Sequence, residues 1–208
     1  MFKHIFEELR EHAPFTIVGA VTGIVIMVLF QKIPHRVSYN IFYIFHPIHV
    51  LLSALVTASM YELHKCRIDR SKCRLWALLA IGYLGSIGIA TISDSIIPYI
   101  GEILLHMPKR QVHIGFIEKW YLVNPLAVIG IAIAYFKPAT KFPHYGHVLL
   151  STWASLFHIL MAKGDGISPF SYIVIFLFLF LAVWIPCCVS DIVFPLLFVK
   201  PEGEKHEH

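Results

Sequence analysis

The sequence predicts an all-α integral membrane protein whose six transmembrane helices form two inverted-topology repeats of three. Three observations predict it. Of the 208 residues, 57% are hydrophobic and only 14% charged, with a mean hydropathy of +0.70, whereas a soluble domain carries about 25% charged residues. Six apolar runs approach the roughly 20 residues that a helix needs to cross the hydrocarbon core. Finally, "HPIHVLLS" at 46–53 returns as "HYGHVLLS" at 144–151, with both histidines and the serine in register.

The spans follow in order. Phe15–Phe30 reads as a span and not as a cleaved leader, because no small-residue cleavage site follows it and the chain continues "QKIPHR". Ile41–Leu63, Leu75–Ile92, Leu122–Phe136, Val148–Ala162 and Phe170–Val189 complete the set. The fourth and fifth are short and need flanking residues to reach across. A short amphipathic stretch precedes the first span: Phe2, Ile5, Phe6 and Leu9 fall at i, i+3, i+4 and i+7, which suits a helix lying on the membrane surface. Ile114, Phe116, Ile117, Trp120 and Tyr121 predict the same before the fourth span, with aromatics at headgroup level.

Six spans put both termini on one side. With the N-terminus in the cytoplasm, the inner segments hold eleven of the seventeen Lys and Arg residues, five of them in the loop "HKCRIDRSKCR" at 64–74. The positive-inside rule then places both termini in the cytoplasm, in a plasma or inner membrane. The formal charge of +4 is this topology signal. It does not indicate nucleic-acid binding, since no basic face with interleaved aromatics is available in water. In that loop Cys66 and Cys73 are expected as reduced, incidental thiols.

Four blocks recur in the same order. "HIFEE" from His4 answers "HIGFIE" from His113. The Pro14 and Gly19 spacing matches Pro125 and Gly130, and the two histidine octapeptides come next. "ISDSIIP" at 92–98 answers "VSDIVFP" at 189–195. The chain therefore divides into a repeat at 1–105, a second at 112–199 and a polar cytoplasmic tail at 200–208. Each repeat has an odd number of spans, so the second crosses in the opposite sense, the construction of many secondary transporters.

The polar residues can now be placed. His46, His49, Ser53, Thr57 and Met60 step along one face of span two, and His144, His147, Ser151, Ser155 and His158 take the same steps in span five. Such a stripe looks into the bundle, either as a hydrogen-bonded seam or as a pathway. Asp94 and Asp191, each preceded by a serine (Ser93 and Ser190), interrupt long apolar runs. An aspartate at a bilayer centre costs about 3 kcal/mol on insertion scales. Pro98 and Pro195 stand four residues after these aspartates and remove a helical hydrogen bond, which predicts that helices 3 and 6 are bent or broken there.

Two imidazoles and a carboxylate suit a divalent transition-metal ion of the Zn, Fe or Mn type. The expected sites are His46, His49 and Asp94 in one repeat and His144, His147 and Asp191 in the other. Ser53, Ser93, Ser151, Ser190, His158 and the softer Cys187 would support them. The leading expectation is a small secondary transporter or permeation unit for such an ion, alternating between two pseudo-symmetric sites, with protons as counter-ions. The alternatives are an intramembrane metal-dependent Ser/His/Asp lipid hydrolase and a proton-coupled solute transporter. A hydrolase has one asymmetric centre, whereas alternating access uses a matched pair. No phosphate-binding glycine loop, G-x-S-x-G or HExxH is present. Six short helices leave little room to shield a pathway, which is compatible with a homodimer.

Overall fold

A computed structural model of the chain describes residues 2–66, 74–164, 168–188 and 194–198. Among these residues it is helical, with no strand: α1 (Phe2–Leu29), α2 (His35–Tyr61), α3 (Leu75–Thr91), α4 (Ile97–Leu104), α5 (Gly115–Glu118), α6 (Trp120–Phe136), α7 (Lys141–Ala162), α8 (Pro169–Cys188) and α9 (Phe194–Leu196). Three stretches are long and apolar enough to cross a membrane: His35–Cys66, Leu75–Leu104 and Pro169–Cys187. Ala13–Leu29 and Trp120–Phe136 are shorter apolar helices.

The burial pattern is that of a chain whose solvent is apolar. Large hydrophobic side chains stand exposed along outer faces: Phe170, Ile173, Leu177, Leu181 and Ile185 on α8, and Val18, Val21, Val25 and Val28 on α1. Ser, Thr, His, Asp and Glu side chains are buried instead, among them His46, His49, Asp94, Glu102 and His147. In water that distribution would leave a large apolar area exposed, whereas hydrocarbon favours it.

The two helices that carry the repeated octapeptide, α2 and α7, pack on each other at the centre. Around them α2 also meets α6 and α3, α7 meets α1 and α8, α1 meets α8, and α3 meets α6. Small residues allow the closest approaches. A methyl group on Gly82 would meet Ile131 Cγ1 at 2.7 Å and Ala58 Cβ at 3.2 Å, and one on Gly85 would meet Thr57 Cγ2 at 2.9 Å. Gly82, Ser86 and Ala90, all buried, thus form the small-residue face by which α3 reaches its neighbours.

Two expectations change here. The surface helix expected at the N-terminus is continuous with the first span, because α1 runs unbroken through Pro14. Helix 3 also does not break at Pro98. It widens into a π-turn, Ile92–Ile96, in which the Ile97 N–H donates to the Ile92 carbonyl, and then continues as α4. One residue is inserted into the turn, which re-aims Asp94. The corresponding part of helix 6, residues 189–193, lies outside the described residues; Pro195 is buried in α9.

α4 ends in a Schellman motif. The Met107 N–H donates to the Glu102 carbonyl and the His106 N–H to the Ile103 carbonyl, both at 3.0 Å, with His106 in the left-handed region at φ 51°. This stop turns the chain into the segment 105–114, which folds back over the polar interior. Cys66, in the π-turn that ends α2, is disulfide-bonded, contrary to the expected reduced thiol. Cys73 lies outside the described residues. Disulfides persist in oxidising compartments, so this bond opposes the cytoplasmic placement that the basic residues give the same loop.

Candidate metal centre

The site is built around Asp94, which is completely buried. Its Oδ2 accepts hydrogen bonds from His49 Nδ1 at 2.7 Å and His46 Nδ1 at 2.9 Å. Its Oδ1 accepts from the hydroxyls of Ser93 and Ser151, each at 2.7 Å. Every side-chain oxygen of the carboxylate is thus matched by two donors, which is how a charge survives away from water. The π-turn is what aims Asp94 at α2 and α7 together: His46 and His49 come from α2, Ser151 from α7.

The proline that follows has a consequence different from the one its spacing suggests. The i→i−5 register at Ile97 leaves Ser93, rather than Asp94, as the carbonyl facing the missing N–H of Pro98. The Ser155 hydroxyl takes that role, donating to the Ser93 carbonyl at 2.9 Å. Ser155→Ala should therefore orphan a buried carbonyl and cost about 1–3 kcal/mol, read as a lower unfolding midpoint in detergent. Adding Pro98→Ala, which restores a backbone donor, should recover part of that loss. If the double variant is no more stable than Ser155→Ala alone, the two groups do not share the carbonyl.

Two groups of side chains could hold a cation. His46, His49 and Asp94 offer ligand atoms all within 4.8 Å of one another, and so do His49, His147 and Cys187. All five residues are buried, and His49 belongs to both groups. Its Nδ1 faces Asp94, while its Nε2 has no hydrogen-bond partner. The His49 and His147 rings lie nearly parallel, 9° apart, with centroids 5.7 Å apart. His147 Nδ1 lies 3.4 Å from the Pro143 carbonyl, a contact that would leave Nε2 to act as the ligand. The donor sets fit a divalent transition metal: nitrogen and oxygen in the first group, nitrogen and the softer thiolate sulfur in the second.

The remaining residues expected at the site divide. His144 is half-buried and stands edge-on to His147 with ring centroids at 5.2 Å, outside both three-residue groups. Ser53 is buried one turn beyond His49, its hydroxyl without a hydrogen-bond partner. Asp191 and Ser190 lie outside the described residues. His158 sits apart from both groups, its Nδ1 2.6 Å from Glu102 Oε1.

Three further polar groups were not expected, two of them buried and Glu118 exposed. Glu102 is completely buried, and His113 and Glu118 face each other at 3.2 Å. The sequence signal for Glu102 is its place in an apolar run, "PYIGEILL", two turns beyond Asp94. Gly115 brings the backbone against the His46 imidazole so closely that a methyl group there would overlap ring atoms. The returning segment thereby presses His46 toward Asp94. The chain matches no protein-family profile, no curated protein and no solved structure.

Proposed function

We propose that this protein is a small secondary transporter, or permeation unit, for a divalent transition-metal cation, built as a six-span inverted repeat. The observation that carries the reading is a pair of buried ligand groups in the seam of α2 and α7 that share His49. Buried ionisable residues on membrane helices mark ion pathways, and a residue common to two groups gives a cation a short step from one to the next. The ion is the substrate. The imidazoles would coordinate it in their neutral form, so binding competes with protons at these rings.

The packing supports the inverted repeat. Under the sequence correspondence, α1 answers α6, α2 answers α7 and α3 answers α8. The contact of α2 with α6 then has its counterpart in α7 with α1, α2 with α3 in α7 with α8, and α1 with α8 in α6 with α3. The correspondence extends to single residues. A methyl group on Gly19 would meet Thr152 Oγ1 at 2.9 Å, and one on Gly130 would meet Ala54 Cβ at 3.0 Å. Positions 54 and 152 occupy the same place after the two octapeptides.

Proteoliposomes loaded with a metal-sensitive dye test the proposal. The wild type should admit Zn²⁺ or Mn²⁺. His49→Ala should lower flux at least about tenfold, which is the loss of roughly 1.4 kcal/mol of ligand binding. Flux unchanged in His49→Ala, with matched amounts of folded protein, rejects the transport reading. Metal-dependent cleavage of a lipid with no metal flux would favour the hydrolase instead. In the same vesicles a tag in the 64–74 loop reports the side on which the basic residues lie, cytoplasmic under our reading and non-cytoplasmic if the Cys66 disulfide marks an oxidising compartment.

A further inference from the structure

Three stretches of chain meet at one end of the bundle, and each brings a lysine. Lys32 stands in the connection from α1 to α2, Lys109 in the returning segment 105–114, and Lys163 directly after α7. Backbone contacts fix the meeting. The Lys109 N–H donates to the Ala162 carbonyl at 3.1 Å, and a methyl group on Gly164 would meet Pro108 Cγ at 2.9 Å. Gln31 Nε2 donates to the Tyr172 hydroxyl at 2.9 Å and so ties the first connection to α8. The three lysines, with His35, Leu160 and Met161 among their neighbours, line a cleft of about 320 Å³.

The charge of this cleft is of one sign. No acidic side chain lines it, and none of the three ammonium groups forms an ion pair with a described residue. The carboxylate nearest to any of them in sequence is Asp165, in the stretch 165–167 outside the described residues. Arg36 and Arg110 follow directly on His35 and Lys109. Partial withdrawal from water holds Lys163 below the usual lysine range, and an anion beside it would offset that effect. The first turn of α2 begins at the same wall, where a helix adds partial positive charge. A concave surface of one sign focuses its field and concentrates ions of the other sign.

Lysine offers donors and no acceptor, so a guest here is negative and rich in acceptors. A carboxylate has two oxygens in one plane. A phosphate presents its oxygens in several directions, as three ammonium groups arriving from three stretches of chain require. We propose that this cleft is an anion site for a phosphate group, that of an acidic lipid headgroup or of a soluble phosphate, separate from the buried cation seam. It does not depend on the metal-transport reading. Its place favours the lipid. The apolar part of α1 ends at Leu29, and Leu29 and Phe30, just before the cleft, are 74% and 49% exposed. In a membrane Lys32 then stands at the depth of the lipid phosphates, with an apolar surface beside it for an acyl chain.

Native mass spectrometry of the full chain in detergent tests the site, with dioctanoyl phosphatidylglycerol, dioctanoyl phosphatidylcholine and inorganic phosphate as probes. Phosphatidylglycerol should bind saturably, and phosphatidylcholine, which has no net charge, much more weakly. Lys32→Gln combined with Lys163→Gln should lower the affinity for phosphatidylglycerol about thirtyfold, or about fivefold for each lysine. Arg74→Gln combined with Lys137→Gln removes the same charge from exposed positions outside the cleft and should bind as the wild type does. Inorganic phosphate that displaces the lipid shows that the two share the cleft, and binding of phosphate with no lipid adduct assigns the soluble source. Equal losses in the two double variants, equal binding of the two lipids, or no saturable binding of either phosphatidylglycerol or phosphate overturns the proposal. The comparison of probes uses the wild type alone, so it holds even if a variant fails to fold.

Discussion

If the proposed site binds Zn²⁺, the wild type should gain unfolding temperature with the ion, and Asp94→Asn should abolish that rise and also lower the midpoint measured without metal. Both effects follow from the same four hydrogen bonds. An asparagine offers one acceptor atom where the aspartate offers two. Whichever way the amide turns, its NH₂ group faces a pair of donors, either the two imidazole Nδ1 atoms or the two serine hydroxyls. Each buried donor left without an acceptor costs about 1–3 kcal/mol, so the metal-free protein loses stability. The lost carboxylate is also the only oxygen ligand of its group. At a metal concentration of 100 times the dissociation constant, binding stabilises the wild type by about 2.7 kcal/mol. That increment should be missing from the variant. Ser151→Ala separates the two effects: it removes one donor to Oδ1 and no ligand, so its midpoint should fall while its zinc-dependent rise persists. A zinc-dependent rise in Asp94→Asn equal to wild type would sink the assignment of Asp94 as a ligand.

Gly130→Ala is the second substitution expected to act strongly. A methyl group at this position would lie inside contact distance of the Leu51 carbonyl oxygen and at 3.2 Å from the Leu55 nitrogen, both backbone atoms of α2. No side-chain rotation can relieve that overlap, so α6 must move off α2. Overpacking a tight site costs about 1–3 kcal/mol and occasionally more, and an obstacle made of backbone belongs at the upper end. Gly88→Ala is the matched control, because nothing stands within 4 Å of a methyl group there. In a helix interior alanine is favoured over glycine by about 1 kcal/mol, so this variant should be neutral or slightly more stable. Unfolding by titrated detergent, followed by circular dichroism, measures both. Equal effects of the two substitutions would mean that the α2 and α6 backbones are not in contact at Gly130.

The parts of the site that were legible in the sequence are those governed by helical periodicity. His46 and His49 share a face of α2, and their distance from Asp94 follows from the lengths of α2 and helix 3; the structure brings the three together. Ser151 falls on the same stripe of α7 and reaches Asp94 as well. His144 and His147 repeat the spacing of His46 and His49; among the described residues His147 groups with His49 and Cys187, while Asp191, the carboxylate expected beside them, lies outside those residues. The π-turn was not legible, because an i→i−5 register follows from packing rather than from local residue preference. Glu102 stood in plain view, but its place two residues before the end of α4 gives no sign of burial. The folding back of segment 105–114, with His113 against His158, encloses it.

The sharing of His49 would let these two groups hold only one ion at a time. A neutral imidazole has one lone pair to give, and coordinating through both nitrogens would require an imidazolate. A cation bound with Asp94 therefore withdraws a ligand from the place beside Cys187, and the reverse holds equally. Because linkage is reciprocal, each occupancy weakens the other by the same factor. Under the transport reading, two places that compete in this way would act as a turnstile, in which an ion advancing from one side vacates the place it held before another can follow.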